Sequence, residues 1–384
     1  MGGWVPDFSA MRIYPETSSN VLNLSDNSSN SFNYLGHPPL YYKLMSLLSG
    51  MGVQGNTVTF DLNHMRMISF IIGIIGMVLV FYITFTRIPD IPLLHVLVGL
   101  IAIAPANMVY TMSGLNNDTL LLVTVTLFTL GVIRFMESRN DLLTYALITM
   151  GMCSTALTKL TGGMMVASMA VLVVAYTIWT ERGPKRFLRK SLYSTLPMFL
   201  FPLVYFLTVL SRWHTIQPSY QRLAPSEFIS SQWYVAVGDR TQLTLIEYST
   251  YFFRRFLECW SSIVGHVPVA RPGTTPFTAD AIGVTLILLI PLCIFFFNRT
   301  KQQRFLAMGI TSILLAVLYQ FFGAAAATYG RGNLGGGVQS RYYQCAIAVL
   351  VLAIIWMLDR HPFVENRGGS TLVTNQEDRP SRTR

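Results

Sequence analysis

The chain has 384 residues, 52% of them apolar and only 12% charged, and carries a net charge of +10. With a positive mean hydropathy, this composition excludes a soluble enzyme and belongs to the polytopic membrane class. The basic excess lies in short loops between apolar runs, where it reports topology and gives no reason to invoke nucleic acid.

Residues 1–65 are polar and rich in Asn and Ser between Ser18 and Asn33. They read as a first exterior loop containing interfacial helices. No basic segment followed by an apolar core marks a cleavable signal peptide. The sharpest local signal in this loop is Gly36-His37-Pro38-Pro39-Leu40-Tyr41-Tyr42. Its Pro-Pro pair holds the backbone extended, so no helix runs through it. Tyr41 and Tyr42 then open an apolar run, Leu40 to Leu48, at the depth where aromatic side chains favour the membrane interface.

Runs long enough to cross a bilayer as single helices follow at 66–86, 91–112, 118–136, 142–158, 161–180 and 193–210, and again at 279–297, 304–323 and 341–358. They predict an all-α polytopic protein of about nine transmembrane helices, grouped at 66–210 and 279–358. No stretch alternates with the two-residue period of a membrane β-strand, which excludes a barrel. Between the groups, residues 211–278 form a second large exterior loop carrying Trp213, Tyr220, Trp233, Tyr234, Tyr248, Tyr251 and Trp260. Loops of that length are usually functional. Residues 323–340 are rich in Gly and Ala, which lets backbone approach a ligand closely, and they lead into Gln339-Ser340-Arg341-Tyr342-Tyr343. The tail, 359–384, has the composition of a disordered segment. Cys153, Cys259, Cys293 and Cys345 show no metal-ligand or redox spacing.

Orientation follows from the basic loops. With the N-terminal segment outside, the inside loops carry Arg87, then Arg134 and Arg139, the dense cluster from Arg182 to Lys190, and Arg299, Lys301 and Arg304. The reverse arrangement would place the Arg182–Lys190 cluster outside, against the positive-inside rule. Residues 1–65, 211–278 and 324–340 are therefore expected on the exterior or periplasmic face of a bacterial inner (cell) membrane, with the tail in the cytoplasm. A chain that begins outside without a signal peptide needs either one further helix upstream or translocation of its N-terminal tail; the upstream helix, which would be a tenth, is the favoured expectation.

Four ionisable residues then fall at one membrane face: Asp7 in Pro6-Asp7-Phe8, Asp118 in Asn116-Asn117-Asp118-Thr119, Lys159 in Thr158-Lys159-Leu160-Thr161-Gly162, and Arg341. A carboxylate there can act as general base toward a hydroxyl acceptor. Arg and Lys can hold a phosphate, one as a planar fork and the other as a point charge. Each also has a purely structural reading. Asp118 or Asn117 would cap the following helix, Lys159 would snorkel to the headgroups, and Arg341 would anchor a helix end. The exterior histidines His37, His64, His214 and His266 show no paired metal-ligand spacing.

These motifs, in this order and on one face, resemble the membrane-embedded GT-C glycosyltransferases of the protein O-mannosyltransferase and lipid A aminoarabinose transferase type. The matching pieces are Pro6-Asp7, His37-Pro38-Pro39-Leu40-Tyr41-Tyr42, Asn116-Asn117-Asp118, Leu157-Thr158-Lys159-Leu160-Thr161-Gly162 and Gln339-Ser340-Arg341-Tyr342-Tyr343, which together span most of residues 1–358. The resemblance implies an inverting transfer of a monosaccharide from a polyprenyl-phosphate-linked donor to a lipid, glycan or protein acceptor at the exterior face of the bilayer. It implies Asp7 as the base, with Asp118 as a second candidate. Lys159, Arg341 and Tyr342 would hold the donor phosphate, and His37, Pro38, Pro39, Tyr41 and Tyr42 would shape the site. The one cofactor it raises is a divalent metal, held in some relatives by an acidic residue just before the Pro-Pro pair. Gly36 and His37 occupy that region here, and Phe8 stands where the family usually shows a second acid. The competing readings are a lipid-linked sugar flippase or polysaccharide-export transporter, and a GT-C-like assembly subunit without activity.

Overall fold

The computed structural model describes residues 21–23, 38–54, 57–88, 90–103, 108, 112, 114–181, 202–212, 214, 245–246, 249, 301–331 and 340–359. Its helices are α1 (Leu40–Leu48), α2 (Leu62–Phe85), α3 (Pro92–Ile103), α4 (Asn117–Met136), α5 (Leu142–Thr158), α6 (Leu160–Glu181), α7 (Pro202–Arg212), α8 (Lys301–Arg331) and α9 (Ile347–Asp359), the last preceded by a 3-10 segment, Ser340–Ala346. Three strands of three residues each, β1 (Val21–Asn23), β2 (Gly52–Gln54) and β3 (Thr57–Thr59), form a small antiparallel sheet in the order β1-β3-β2. The register pairs Val21 and Gly52 with Thr59 from either side. The membrane part is helical as expected; the sheet belongs to the first loop, where only helices were foreseen.

Among the described residues, four helical stretches are long and apolar enough to cross a membrane: Leu62–Phe85, Asn117–Met136, Leu160–Thr177 and Lys301–Phe322. They coincide with the expected runs at 66–86, 118–136, 161–180 and 304–323. The run at 142–158 is α5, a shorter apolar helix. The run at 341–358 is split, because its first two turns are the tighter 3-10 segment and only the remainder is α-helical. The expected run at 279–297, most of the 211–278 loop and the tail lie outside the described residues.

Local sequence sets the helix starts. Asp61 accepts from the main-chain N–H groups of Asn63 and His64 at 2.9 and 3.1 Å and so caps α2. Asp141 caps α5 through Thr144 N at 2.8 Å, and the Thr144 hydroxyl adds a second bond at 2.6 Å. Those bonds hold the Asp141 carboxyl below the usual carboxylate range. Pro39 stands at the cap of α1, where a missing N–H costs nothing, and its carbonyl accepts from Lys43 N at 2.9 Å. At the other end of α1, Gly50 adopts a φ of +64°, turning the chain into β2.

Helix α4 is the centre of the bundle. Over its apolar window 72% is buried, against 39% for α2 and for α6. The difference marks α4 as enclosed by protein, whereas α2 keeps a stripe of bare side chains (Phe70, Ile74, Val78, Tyr82), a surface of the kind that faces lipid or an apolar partner. Glycines bring α4 and α5 together at backbone distance. A Cβ at Gly151 would sit 2.5 Å from Phe128 N, and one at Gly131 would sit 2.7 Å from Ile148 N. Small residues facing each other in this way are a general device of helix packing in membranes, where close approach supplies the attraction that water would otherwise give.

The helix ends sort into two sets. At one end Arg87 pairs with Glu137 at 2.9 Å, Lys301 Nζ donates to Ser138 Oγ at 3.1 Å, Arg304 donates to the Tyr176 hydroxyl at 3.0 Å, and Trp356 Nε1 donates to the Arg87 carbonyl at 3.0 Å. All of these fall where the alternating topology puts a single face. The other end gathers Tyr41, Ser69, Gly114, Asp118 and Lys159.

The α4–α5 contact predicts that Gly151→Val lowers stability by about 3 kcal/mol through overpacking. Gly99→Ala, at a site with nothing within 4 Å of the added atom, leaves it nearly unchanged. Thermal unfolding of the two detergent-solubilised variants checks this; equal melting temperatures would refute the close packing.

Candidate functional site

The α5–α6 junction is a single residue long. Lys159 is the extended C-cap of α5, with φ −157° and ψ 133°. Its N–H donates to Thr155 O at 3.0 Å, while its carbonyl accepts from Gly163 N at 2.9 Å and so begins α6. A hairpin this tight needs the small residue that follows it, since a Cβ at Gly162 would collide with Leu121 of α4. The effect is to press the junction against the start of α4.

At that start the capping role goes to neither Asn117 nor Asp118, as the sequence had suggested, but to Asn116, whose Oδ1 accepts from Asp118 N at 3.2 Å. The two following side chains are released toward α5. Asn117 Nδ2 donates to Thr158 O at 3.3 Å, and Lys159 Nζ makes a short charge-assisted hydrogen bond to Asp118 Oδ1. The two charged side chains are 2% and 5% exposed. That puts the pair in the regime where loss of one partner strands a buried charge, far from the weak, solvent-screened pairs of a surface. Tyr342, from the 3-10 segment, lays its ring over the ammonium at 3.7 Å from the centroid, which adds cation–π attraction. Lys159, for which headgroup snorkelling was the structural alternative, is thus buried inside the protein. Asp118, Lys159 and Tyr342 come from three separate elements and meet at one point.

The Pro-Pro loop reaches this neighbourhood by another route. Pro38 is buried and Pro39 half-buried. Tyr41 was expected at the interface, yet it is 2% exposed and packs with Met45, Ile72 and Leu120; Tyr42 alone keeps partial exposure. The Tyr41 hydroxyl lies 3.3 Å from Ser69 Oγ, which donates to Gly114 O at 2.7 Å and lies 3.3 Å from Thr119 Oγ1. Burial pushes the Tyr41 phenol up, so it stays a neutral hydrogen-bonding group. Through Ser69 and Thr119, α1 is tied to the residue next to Asp118. Ser69 and Thr119 carried no signal in the sequence beyond being hydroxyls in apolar runs. His64, one of the histidines expected on the exterior face, sits with Nε2 3.4 Å from the Leu48 carbonyl and so meets the end of α1.

Beneath the pair, the Tyr343 hydroxyl donates to Gln320 Oε1 of α8 in a second short buried bond. Asp7, His37 and the Arg341 side chain lie outside the described residues. Among the described residues no three His, Cys, Asp or Glu side chains converge. No protein family, no curated protein and no solved structure matches the chain.

The buried pair predicts that Asp118→Asn or Lys159→Met alone costs about 3–5 kcal/mol, while the double variant Asp118→Leu/Lys159→Met recovers most of it. A double-mutant cycle on thermal unfolding measures this. Additive losses would show that the two charges do not stabilise each other.

Proposed function

We propose that the chain is a membrane glycosyltransferase of the GT-C type, moving a monosaccharide from a polyprenyl-phosphate donor to a hydroxyl acceptor at the exterior face of a bacterial inner membrane. The observation that carries the reading is Lys159: an ammonium held inside a helix bundle at the mouth of the central helix, with Asp118 on one side and the Tyr342 ring on the other. A fixed cation in a low-dielectric setting is what a departing phosphate requires, because its charge develops as the glycosidic bond breaks. The 3-10 segment that bears Tyr342 also bears Arg341, so a second cation belongs to the same stretch of chain.

In the proposed reaction the acceptor oxygen attacks the anomeric carbon from the side opposite the phosphate. The new carbon–oxygen bond forms as the sugar–phosphate bond breaks. The acceptor proton passes to a carboxylate, Asp7 by its resemblance to the family's base, and polyprenyl phosphate leaves against Lys159. Asp118 is engaged with Lys159 and serves to position it, which makes Asp7 the better base. The bonds that gather Arg87, Arg134, Arg139, Lys301 and Arg304 with their neighbours at one end of the bundle support a cytoplasmic assignment for that end by the positive-inside rule. The Lys159 end then faces outward.

The test uses the purified full chain in vesicles with undecaprenyl phosphate carrying radiolabelled sugars. Label leaves the carrier with wild-type protein. Lys159→Met slows this by about a hundredfold or more, the scale of one lost electrostatic contact to developing charge. Asp7→Asn abolishes it without affecting insertion. Full activity of both Asp7→Asn and Asp118→Asn would sink the assignment of the base. Lipid-linked sugar that crosses the bilayer intact would replace the enzyme reading with a transporter.

A further inference from the structure

Beside the ion pair lie buried polar atoms that the described residues do not satisfy. Asn117 is 1% exposed. Its amide orientation is fixed, because Nδ2 donates to the Thr158 carbonyl at 3.3 Å and a carbonyl oxygen can only accept. Asn117 Oδ1 must therefore point away from Thr158, and among the described residues it has no hydrogen-bond partner. Thr161 Oγ1 and Gln344 Oε1 are buried in the same condition. Each of the three belongs to a residue within two positions of Asp118, Lys159 or Tyr342. A buried acceptor left unmet is costly, and native proteins fill such positions with water or with a ligand.

We infer that Asn117 Oδ1, with Thr161 Oγ1 in the adjoining turn, is a recognition point for saccharide hydroxyl groups, set beside the cation that takes the anionic part of the same ligand. The inference rests on the glycosyl-transfer reading and deepens it. Its chemistry follows from donor and acceptor counting. An amide oxygen only accepts, and a phosphate diester anion also only accepts, so Asn117 Oδ1 has nothing to offer the phosphate. A sugar hydroxyl donates, and it can accept in turn from the Thr161 hydroxyl. Charge recognition therefore belongs to Lys159 and hydroxyl recognition to Asn117 and Thr161. A site that uses a buried acceptor to read a hydroxyl discriminates strongly against ligands that lack it, because the acceptor is then stranded.

Binding of two classes of probe to the purified full chain in nanodiscs tests this: bare undecaprenyl phosphate, and undecaprenyl phosphate carrying glucose, galactose, mannose or arabinose. At least one glycosylated carrier binds about tenfold tighter than the bare carrier, the scale of one satisfied buried hydrogen bond. Asn117→Leu removes that preference. Thr161→Val, which keeps the side-chain volume, reduces the preference as well and decides the matter alone should Asn117→Leu fail to fold. Lys159→Met weakens both classes together. Equal binding of bare and glycosylated carriers, or a preference that survives both variants, overturns the inference and assigns these atoms to water, while the phosphate-binding reading stands. Failure of every carrier to bind, with Lys159→Met silent, removes that reading and the inference with it.

Discussion

A lysine and an aspartate can be buried within a bundle of apolar helices only if they are buried against each other. That constraint organises the end of the molecule where Asp118 meets Lys159. Desolvating either charge alone costs several kcal/mol, so the start of α4 and the α5–α6 junction must meet within hydrogen-bond distance before either element is stable where it stands. The rest of the local geometry serves that meeting. Asn116 takes the capping role and leaves Asp118 free to turn toward α5. Gly162 lets the junction lie on Leu121, and the Asn117 amide closes on the Thr158 carbonyl. Further along, Gly131 and Gly151 hold α4 and α5 at backbone distance, which keeps the two elements in line as they approach the pair. Tyr342 then covers the ammonium from the 3-10 segment.

The tightening of the chain at Ser340–Ala346 has a place in the same scheme. Three residues per turn and a longer rise per residue give a 3-10 segment a different side-chain progression from the α-helix it leads into. Here Tyr342 meets Lys159 while Tyr343 meets Gln320 of α8. Adjacent tyrosines thus serve two different contacts, one with a charge and one with a neutral amide. The Cys345 thiol donates to the Tyr342 carbonyl at 3.3 Å and secures the turn.

How much of this was legible in the sequence depends on the range of the interaction concerned. The four described stretches long and apolar enough to cross a membrane were readable from hydropathy, because length and apolarity are local properties. The split at 341–358 was not, since a 3-10 turn and an α-turn are equally apolar. Asp118 and Lys159 could be nominated from their positions at span ends, but the bond between residues 41 apart is set by packing and leaves no local trace. The cap was misassigned by one or two residues because Asn116, Asn117 and Asp118 are all competent caps; only the pull of Lys159 on Asp118 decides among them. Tyr41 shows the same limit. Its interface preference is real, but a cavity lined by Met45, Ile72 and Leu120 with Ser69 at its base satisfies ring and hydroxyl together. The three-residue strands of the small sheet are too short to display alternation.

The two ends of the bundle differ in how they treat charge, and the difference bears on where chemistry can occur. At the Arg87 end the ion pairs are partly open to water: Glu137 is 34% exposed, and Asp141, paired with Arg134, is 53% exposed. Pairs of that kind are screened, contribute little to stability and exert little field at a distance. At the Lys159 end the charges are nearly sealed from solvent, so the same unit charge acts through a lower effective dielectric. A charge shielded from water is held in place before any ligand arrives and needs no reorganisation when negative charge develops beside it, which is the physical basis of electrostatic catalysis. The two ends thus differ in solvent access: the pairs at the Arg87 end are partly open to water, and the pair at the Lys159 end is nearly sealed from it. The capping by Asn116, the glycine contact at Gly162 and the aromatic cover of Tyr342 together hold the Lys159 side chain in place against Asp118.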